Sequence, residues 1–304
     1  MKDNRLTLGT VQFGLNYGVN NFLGKPKIED SIKVLQLAYK NTITSFDTAF
    51  SYGDAEEILG VFIKQNKLAG KVKVISKLRP NVFDEGTVEK DKYKIIKWEV
   101  EKTLKKLNIS CLDGYLLHTP AYIYDGEVVS ALKKLKKNGL IKNFGVSIYD
   151  EAEAFYAVEK AGVDYIQIPY NVFDQRLDRS NFFELARLKK IKVFARSAFL
   201  QGLMVMDQKN IPKYLPQAKQ YLKTFKKIIS KYGYTSSRAS LLFSLSHPDI
   251  DQVVIGVDNS NQLKEDLKFA QDIEGFGPCR DELKREFLNL KDSIIFPSLW
   301  AKKK

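Results

Sequence analysis

Ser45-Phe46-Asp47-Thr48-Ala49-Phe50-Ser51-Tyr52-Gly53-Asp54-Ala55-Glu56-Glu57-Ile58-Leu59-Gly60 is the stretch on which the reading of this chain turns. An apolar run that starts at Ile43 ends in an acid and a short loop carries a tyrosine. Asp54 then stands where a helix N-cap belongs, with Glu57 placed as its capping-box partner. The pattern predicts a buried strand, a functional loop and an amphipathic helix. Asp47 at the strand end and Tyr52 in the loop above it would hold a charge and a proton donor close together.

The same strand-then-helix unit recurs in both directions from this stretch. Short apolar runs at 6–13, 43–47, 72–77, 112–118, 141–147, 163–170, 191–197 and 252–256 predict strands. Helical periodicity follows them at 29–38, 54–65, 89–107, 126–137, 151–161 and 182–190, then in two segments at 217–232 and 236–246, and last at 261–269. Units of this length imply a parallel sheet, because parallel strands need crossovers. Eight of them suggest closure into a barrel. The competing open, doubly wound sheet would carry a glycine-rich fingerprint after its first strand, and Gly9-Thr10-Val11-Gln12-Phe13-Gly14 lacks that spacing.

The expected architecture is therefore α/β, one (β/α)8 TIM barrel over residues 1–304, with 271–304 as a C-terminal extension packing on it. Such barrels gather their sites at the C-terminal ends of the strands. Here those ends carry Asp47, Lys77, His118, Ser147, Gln167, Arg196 and Gly256, which the fold would bring to one mouth.

Composition narrows the functional classes. A chain of 304 residues at 44% hydrophobic can bury a large core. It shows no basic-then-apolar leader, and no apolar run approaches the ~18 residues of a membrane span. It reads as soluble and cytoplasmic, without a membrane partner. Cys111 and Cys279 have neither metal-like nor redox-like spacing and read as ordinary thiols, so no metal is expected.

The net charge of +13 invites a nucleic-acid reading, but its distribution argues against one. Lys133, Lys134, Lys136 and Lys137 alternate with Ala131, Leu132, Leu135 and Leu140, as on the solvated face of a helix. Lys302, Lys303 and Lys304 read as a frayed end. The positive field could still draw in an anionic ligand. The sequence leaves the oligomeric state open.

Several segments resemble the aldo/keto reductases in order and spacing. They are Phe46-Asp47-Thr48-Ala49 with Tyr52-Gly53 and Glu56 to Gly60, Ser76-Lys77, Leu117-His118, Gly145-Val146-Ser147, Gln167-Ile168-Pro169-Tyr170-Asn171 and Gln262-Leu263-Lys264-Glu265. The resemblance spans about residues 6–269. It implies a TIM-barrel oxidoreductase that moves hydride from a nicotinamide cofactor to an aldehyde or ketone.

The catalytic positions of that family fall on Asp47, Tyr52, Lys77 and His118. Carbonyl reduction needs a proton on oxygen as well as a hydride on carbon, and Tyr52 would supply it. A free phenol titrates near 10, and the Lys77 ammonium would lower that value. Asp47 would keep Lys77 charged, and His118 would donate or orient a hydrogen bond at the carbonyl oxygen. Taken singly, Asp47 with Lys77 also reads as a structural ion pair, Tyr52 as a rim aromatic and His118 as a core histidine. His247, beside Pro248, reads as a helix-end residue.

By the same resemblance Ser147 and Gln167 would hold the nicotinamide carboxamide, with Gly9 and Thr10 at the end of the first strand also in the cofactor site. Ser197, Phe199, Gln201 and Gly202, with Gly256 and the helix after it, would enclose the phosphates and adenosine. Asp258, Gln262, Glu265 and Asp266 lie on that segment, and its N-terminus offers free N–H groups and a favourable dipole.

Three positions depart from the family: Ile148 replaces a common Asn, Arg196 a stacking Tyr, and Asp258 a Ser, Lys or Arg near the 2′-phosphate. NADPH is the expected cofactor and NADH the alternative. Tyr17 and Phe50 are the substrate candidates, with Phe83, Phe296 and Trp300 as further rim aromatics. The run from Gly9 to Gly18 looks like that of reductases of surface-sugar pathways, so a sugar or sugar derivative is the expected carbonyl compound. The chain starts almost at its first strand, leaving little room for a hairpin beneath the barrel. Two alternatives stand beside the reductase: a Schiff-base lyase or isomerase using Lys77, and a nucleotide-binding sensor or scaffold.

Overall fold

Eight apolar runs become eight parallel strands: β1 (Leu6–Gly9), β2 (Ser45–Asp47), β3 (Lys73–Leu78), β4 (Leu112–Leu117), β5 (Ile141–Ser147), β6 (Tyr165–Pro169), β7 (Lys192–Arg196) and β8 (Gln252–Gly256). They close in sequence order, and β8 pairs back on β1 with Gly256 opposite Gly9. This computed structural model describes residues 4–84 and 86–300. Lys302, Lys303 and Lys304 lie outside the described residues.

Twelve α-helices surround the barrel among the described residues: α1 (Val11–Gly14), α2 (Ile28–Lys40), α3 (Ala55–Gln65), α4 (Glu89–Leu107), α5 (Gly126–Lys137), α6 (Glu151–Tyr156), α7 (Phe182–Leu188), α8 (Ala218–Lys231), α9 (Ser236–Leu245), α10 (Ser260–Gln271), α11 (Gly277–Phe287) and α12 (Asp292–Ile295). No helix among the described residues is long and apolar enough to cross a membrane.

Side chains alternate along each strand, so every second residue enters the barrel. Ile75, Leu116 and Phe194 fill its middle, with Tyr165 and Val254 packed against them. The outward residues join one large cluster under the helices, including Leu8, Phe46, Val74, Leu117, Val146, Ile166, Val193 and Ile255. Toward the N-terminal end the interior is polar. Thr7 meets Ser45 and Gln252 at 3.0 Å each, and Tyr165 donates to Asp113 at 2.8 Å while accepting from Asn143 at 3.0 Å. These bonds hold together the end over which no hairpin was expected.

The structure corrects several local expectations. The first apolar run does not continue as strand: Thr10 turns so that its N–H and Oγ1 both donate to the Asp47 carbonyl, at 2.9 and 3.1 Å, and Val11–Gly14 winds into α1. At Gly14 a Cβ would lie 1.6 Å from the Tyr52 carbonyl oxygen, so only glycine lets this turn approach the Tyr52 loop.

The capping box expected at Asp54 and Glu57 does not form. Asp54 makes no side-chain cap and pairs with Lys25, while Glu57 pairs with Lys106 at 2.8 Å. Distant lysines compete with the local cap for both acids. The helix after β5 is α-helical only to Tyr156 and continues as a π-turn over Ala157–Ala161.

Candidate active site

Asp47, Lys77, His118, Ser147, Gln167, Arg196 and Gly256 end or closely follow their strands, and the barrel brings them to one mouth. Lys77 points inward from β3 and is 1% exposed. Its Nζ donates to Asp47 Oδ1 at 2.6 Å and to the Thr48 carbonyl at 3.0 Å, and lies 3.4 Å from the Tyr52 phenol oxygen. All three ammonium protons are thereby used. Gln167 Nε2 donates to Asp47 Oδ2 at 2.8 Å, so the carboxylate is held from two strands.

Because the Tyr52 oxygen accepts from Lys77, its own proton is free for a group in the cavity. Burial pushes the phenol far above its ordinary value; the Asp47 carboxylate adds to the rise and Arg196 opposes it. This reverses the expectation that Lys77 would lower it. The loss of water and the nearby carboxylate outweigh the ammonium, whose charge Asp47 already balances. Burial also lowers Lys77, with Asp47 opposing that shift. Tyr52 is therefore a protonated donor at neutral pH.

His118 packs edge-on to Tyr52, with ring centroids 5.8 Å apart. Burial and then the Lys77 and Arg196 cations push its imidazole down to about 3, so it is neutral at pH 7. Its Nδ1 is buried and has no partner.

Above these residues opens a cavity of about 610 Å3, within the range of small-molecule and cofactor sites. Asp47, Tyr52 and His118 form its floor with Ser147 and Gln167. The Arg196 guanidinium lies against the Tyr149 ring, 4.8 Å from its centroid. Its nitrogens donate to Ser147 Oγ, Ser197 Oγ and the Ile148 carbonyl at 3.2, 3.3 and 3.0 Å. Ser197, Phe199, Gln201 and Gly202 form one wall, where Ser197 and Gln201 adopt φ of 65° and 55°. Gly256, Asp258, Gln262, Glu265 and Asp266 form the far end, and Gly9 and Tyr17 also line the cavity.

Three expected site residues do not reach the cavity wall. Lys77 lies beneath it, against Asp47 and Tyr52. Thr10 is buried and spends its hydroxyl on the Asp47 carbonyl, a structural bond. Phe50 faces away, its ring lying under the cations of Arg79, Lys102 and Lys106 at 5.9, 5.1 and 5.1 Å. Phe83 packs on Tyr122 instead, whereas Phe296 and Trp300 do line the cavity.

The N–H groups expected to be free at α10 are partly taken. Asn259 caps those of Asn261 and Gln262, and Gln262 and Asp258 bond each other reciprocally. Sequence reasoning missed Tyr149, Gln12 and Asn171 as lining residues. Tyr149 follows Ser147 by two residues and was legible as a strand-end neighbour, whereas Gln12 is placed by the turn into α1, which carried no sequence signal.

The donor set suits a nicotinamide dinucleotide. The cavity lining reaches from the barrel mouth to α10, and lining residues at both ends carry buried polar atoms without partners, His118 Nδ1 at one and Asp258 Oδ1 at the other. A Cβ on Gly256 would come within 2.5 Å of the end of the Gln12 side chain, which would have to swing aside.

The model of the aldo/keto reductase family matches residues 5–273. Aldo-keto reductase YhdN of Bacillus subtilis is 26% identical over 282 residues, 86% of this chain and 83% of that protein. L-galactose dehydrogenase of Arabidopsis thaliana is 19% identical over 307 residues, 96% of this chain and 92% of that one. Among solved structures, the holo form of aldo-keto reductase AKR11C1 from Bacillus halodurans superposes with a TM-score of 0.76 at 20% identity, over 98% of this chain and 95% of that one, a likeness of fold.

Proposed function

The chain belongs to the aldo/keto reductase family, a family of oxidoreductases, and from that premise we propose that Tyr52 protonates the oxygen of a small carbonyl substrate at the barrel mouth. The observation that carries the reading is the chain of contacts from Asp47 through Lys77 to Tyr52, at 2.6 and 3.4 Å. A nicotinamide dinucleotide held in the cavity would supply the hydride that the carbonyl carbon receives. Ser147, Gln167 and Arg196 would hold its reactive end, and the wall from Ser197 to Gly202 its middle. The family resemblance favours NADPH, with NADH as the alternative.

In this mechanism Tyr52 gives its proton to the developing alkoxide, and the Lys77 ammonium beneath it steadies the phenolate left behind. Neutral His118, beside the phenol, donates a hydrogen bond to the same oxygen. Asp47 orients Lys77 and keeps it charged. The Schiff-base alternative is not favoured, since Lys77 is shut off from the cavity and fully hydrogen-bonded.

A sugar or sugar derivative is the proposed substrate class. Aromatic Tyr17, Tyr149, Phe296 and Trp300 stand beside polar Asn20, Asn21 and Asn171 in the cavity lining, a mixture suited to a sugar face. One relative carries a sugar dehydrogenase name. Residues 271–304 are read as an extension of the same domain, and the cytoplasm, where Cys111 and Cys279 stay reduced, as its setting.

Titration of the protein's fluorescence with NADH and NADPH, followed by oxidation of each on a panel of sugar and simple aldehydes, tests the reading. Tyr52→Phe should keep nucleotide binding and lose about 10²–10⁴-fold in turnover. Wild-type turnover in that variant removes Tyr52 as the acid, and binding without turnover on any carbonyl favours the sensor.

A further inference from the structure

Beyond β8 the cavity ends in carboxylates. Asp258, Glu265 and Asp266 all line it. Asp266 is 5% exposed, and among the described residues no hydrogen bond or ion pair reaches its carboxylate. Asp258 Oδ1 is buried without a partner, while its Oδ2 accepts from Gln262 at 3.2 Å. Acids that line a cavity without a donor from the chain are open to one from a ligand.

The donor is not a metal ion, because no group of His, Cys, Asp or Glu among the described residues is arranged to hold one. Nor is it a cation of the protein. The only Arg or Lys side chains lining the cavity, among the described residues, are Arg176, which pairs with Asp174, and Arg196, at the end of β7. Lys264 on α10 stands about 100° around the helix from Glu265 and does not line the cavity. Arg238 of the neighbouring α9 pairs with Asp272.

A ligand rich in O–H and N–H groups would supply the missing donors. We propose that this end selects a dinucleotide whose adenosine ribose carries no phosphate: Asp258, Glu265 and Asp266 meet the sugar hydroxyls and adenine amine, and the Asp258 and Glu265 carboxylates repel a 2′-phosphate. The inference rests on the reductase reading, which puts the nicotinamide beside Tyr52 and therefore the adenosine half at the far end. It makes NADH, rather than the NADPH favoured by family resemblance, the hydride donor. A phosphate monoester near neutral pH carries close to two charges. Setting it against carboxylates with no cation alongside opposes binding, and salt should relieve part of that opposition.

The test is the ratio of dissociation constants for NADH and NADPH, measured by fluorescence on the unmodified protein at low and high salt. NADH should bind about tenfold or more tightly, a gap of about 1.4 kcal/mol or more, and raising salt from about 0.05 to 0.5 M should narrow the gap by strengthening NADPH. Asp258→Asn/Glu265→Gln/Asp266→Asn should bring the ratio toward one, with NADPH gaining. NADPH binding as tightly as NADH, or more tightly, overturns the inference and leaves the reductase standing. Failure of both nucleotides to bind overturns the reductase reading together with the inference. The salt series needs no variant, so a misfolded triple variant does not block the answer.

Discussion

Lys77 and Asp47 form an ion pair of 2.6 Å whose two side chains are 1% and 4% exposed, and this closed pair is the foundation on which Tyr52 stands. Removing one partner of a buried pair leaves the other charge unbalanced, at a cost of about 3–5 kcal/mol. Asp47→Asn is therefore expected to lose that much in urea unfolding. Combining it with Lys77→Met, which removes both charges, should recover most of the loss while turnover stays absent. Additive stability losses in the double variant would show that the pair is not coupled.

The proposed acid and the histidine beside it both keep one protonation state across the neutral range. Tyr52 is held far above 10 and His118 down near 3. At saturating cofactor and substrate, kcat for reduction should stay flat between about pH 5 and 9, with no step at the 6.5 of a free imidazole. His118→Gln should lower kcat without introducing or removing a step. A histidine-like inflection that disappears in this variant would show that His118 titrates during turnover.

Asp266 is raised to about 7 by burial and by Glu265. The unfolded chain releases this proton near the ordinary 3.8, so between about pH 4 and 7 the folded state binds more protons and loses stability as pH rises. Above pH 7 the full cost, about 4 kcal/mol, is present. Asp266→Asn should therefore match the wild-type apoprotein in stability near pH 4 and exceed it increasingly up to pH 7, with a constant gap beyond. A gap independent of pH, followed by thermal melts across that range, would refute the assignment.

How much of this was legible depends on how local each signal was. Helices α4 and α5 and strands β5 and β8 have the expected bounds, because a solvated lysine face or a cluster of apolar residues marks them from within. The alternation of strand and helix was enough to imply closure into a barrel and to bring Asp47, Lys77 and His118 to one mouth. Thr10, Phe50 and Asp54 escaped because their partners come from elsewhere: the Asp47 carbonyl, a trio of cations, and Lys25. The direction of the Tyr52 shift escaped for a related reason. A sequence names the lysine that will lie nearby but not the water that folding removes.

The C-terminal extension was the least legible part, and one acid ties it to the site. Asp178 accepts from Tyr170 at 2.9 Å and from Lys284 of α11 at 3.0 Å, and its other oxygen meets His247 Nε2 at 3.1 Å. Burial alone would push this carboxyl up, but the hydrogen bonds from His247 and Lys284 hold it below its ordinary value. Its contribution is present above that ordinary value and lost as pH falls through the folded one. Past α11 the chain places Ile295, Phe296, Pro297, Ser298 and Trp300 in the cavity wall, with Phe296 held under Arg176 at 4.2 Å. Asp178→Asn should cost about 1–3 kcal/mol, the penalty of stranding buried partners. It should also free the tail, raising KM for the carbonyl substrate several-fold while kcat and the Tyr52 dependence persist. Limited proteolysis should then cut between α10 and α12 sooner than in the parent. An unchanged KM together with faster cleavage would mean that the tail covers the cavity without touching the substrate.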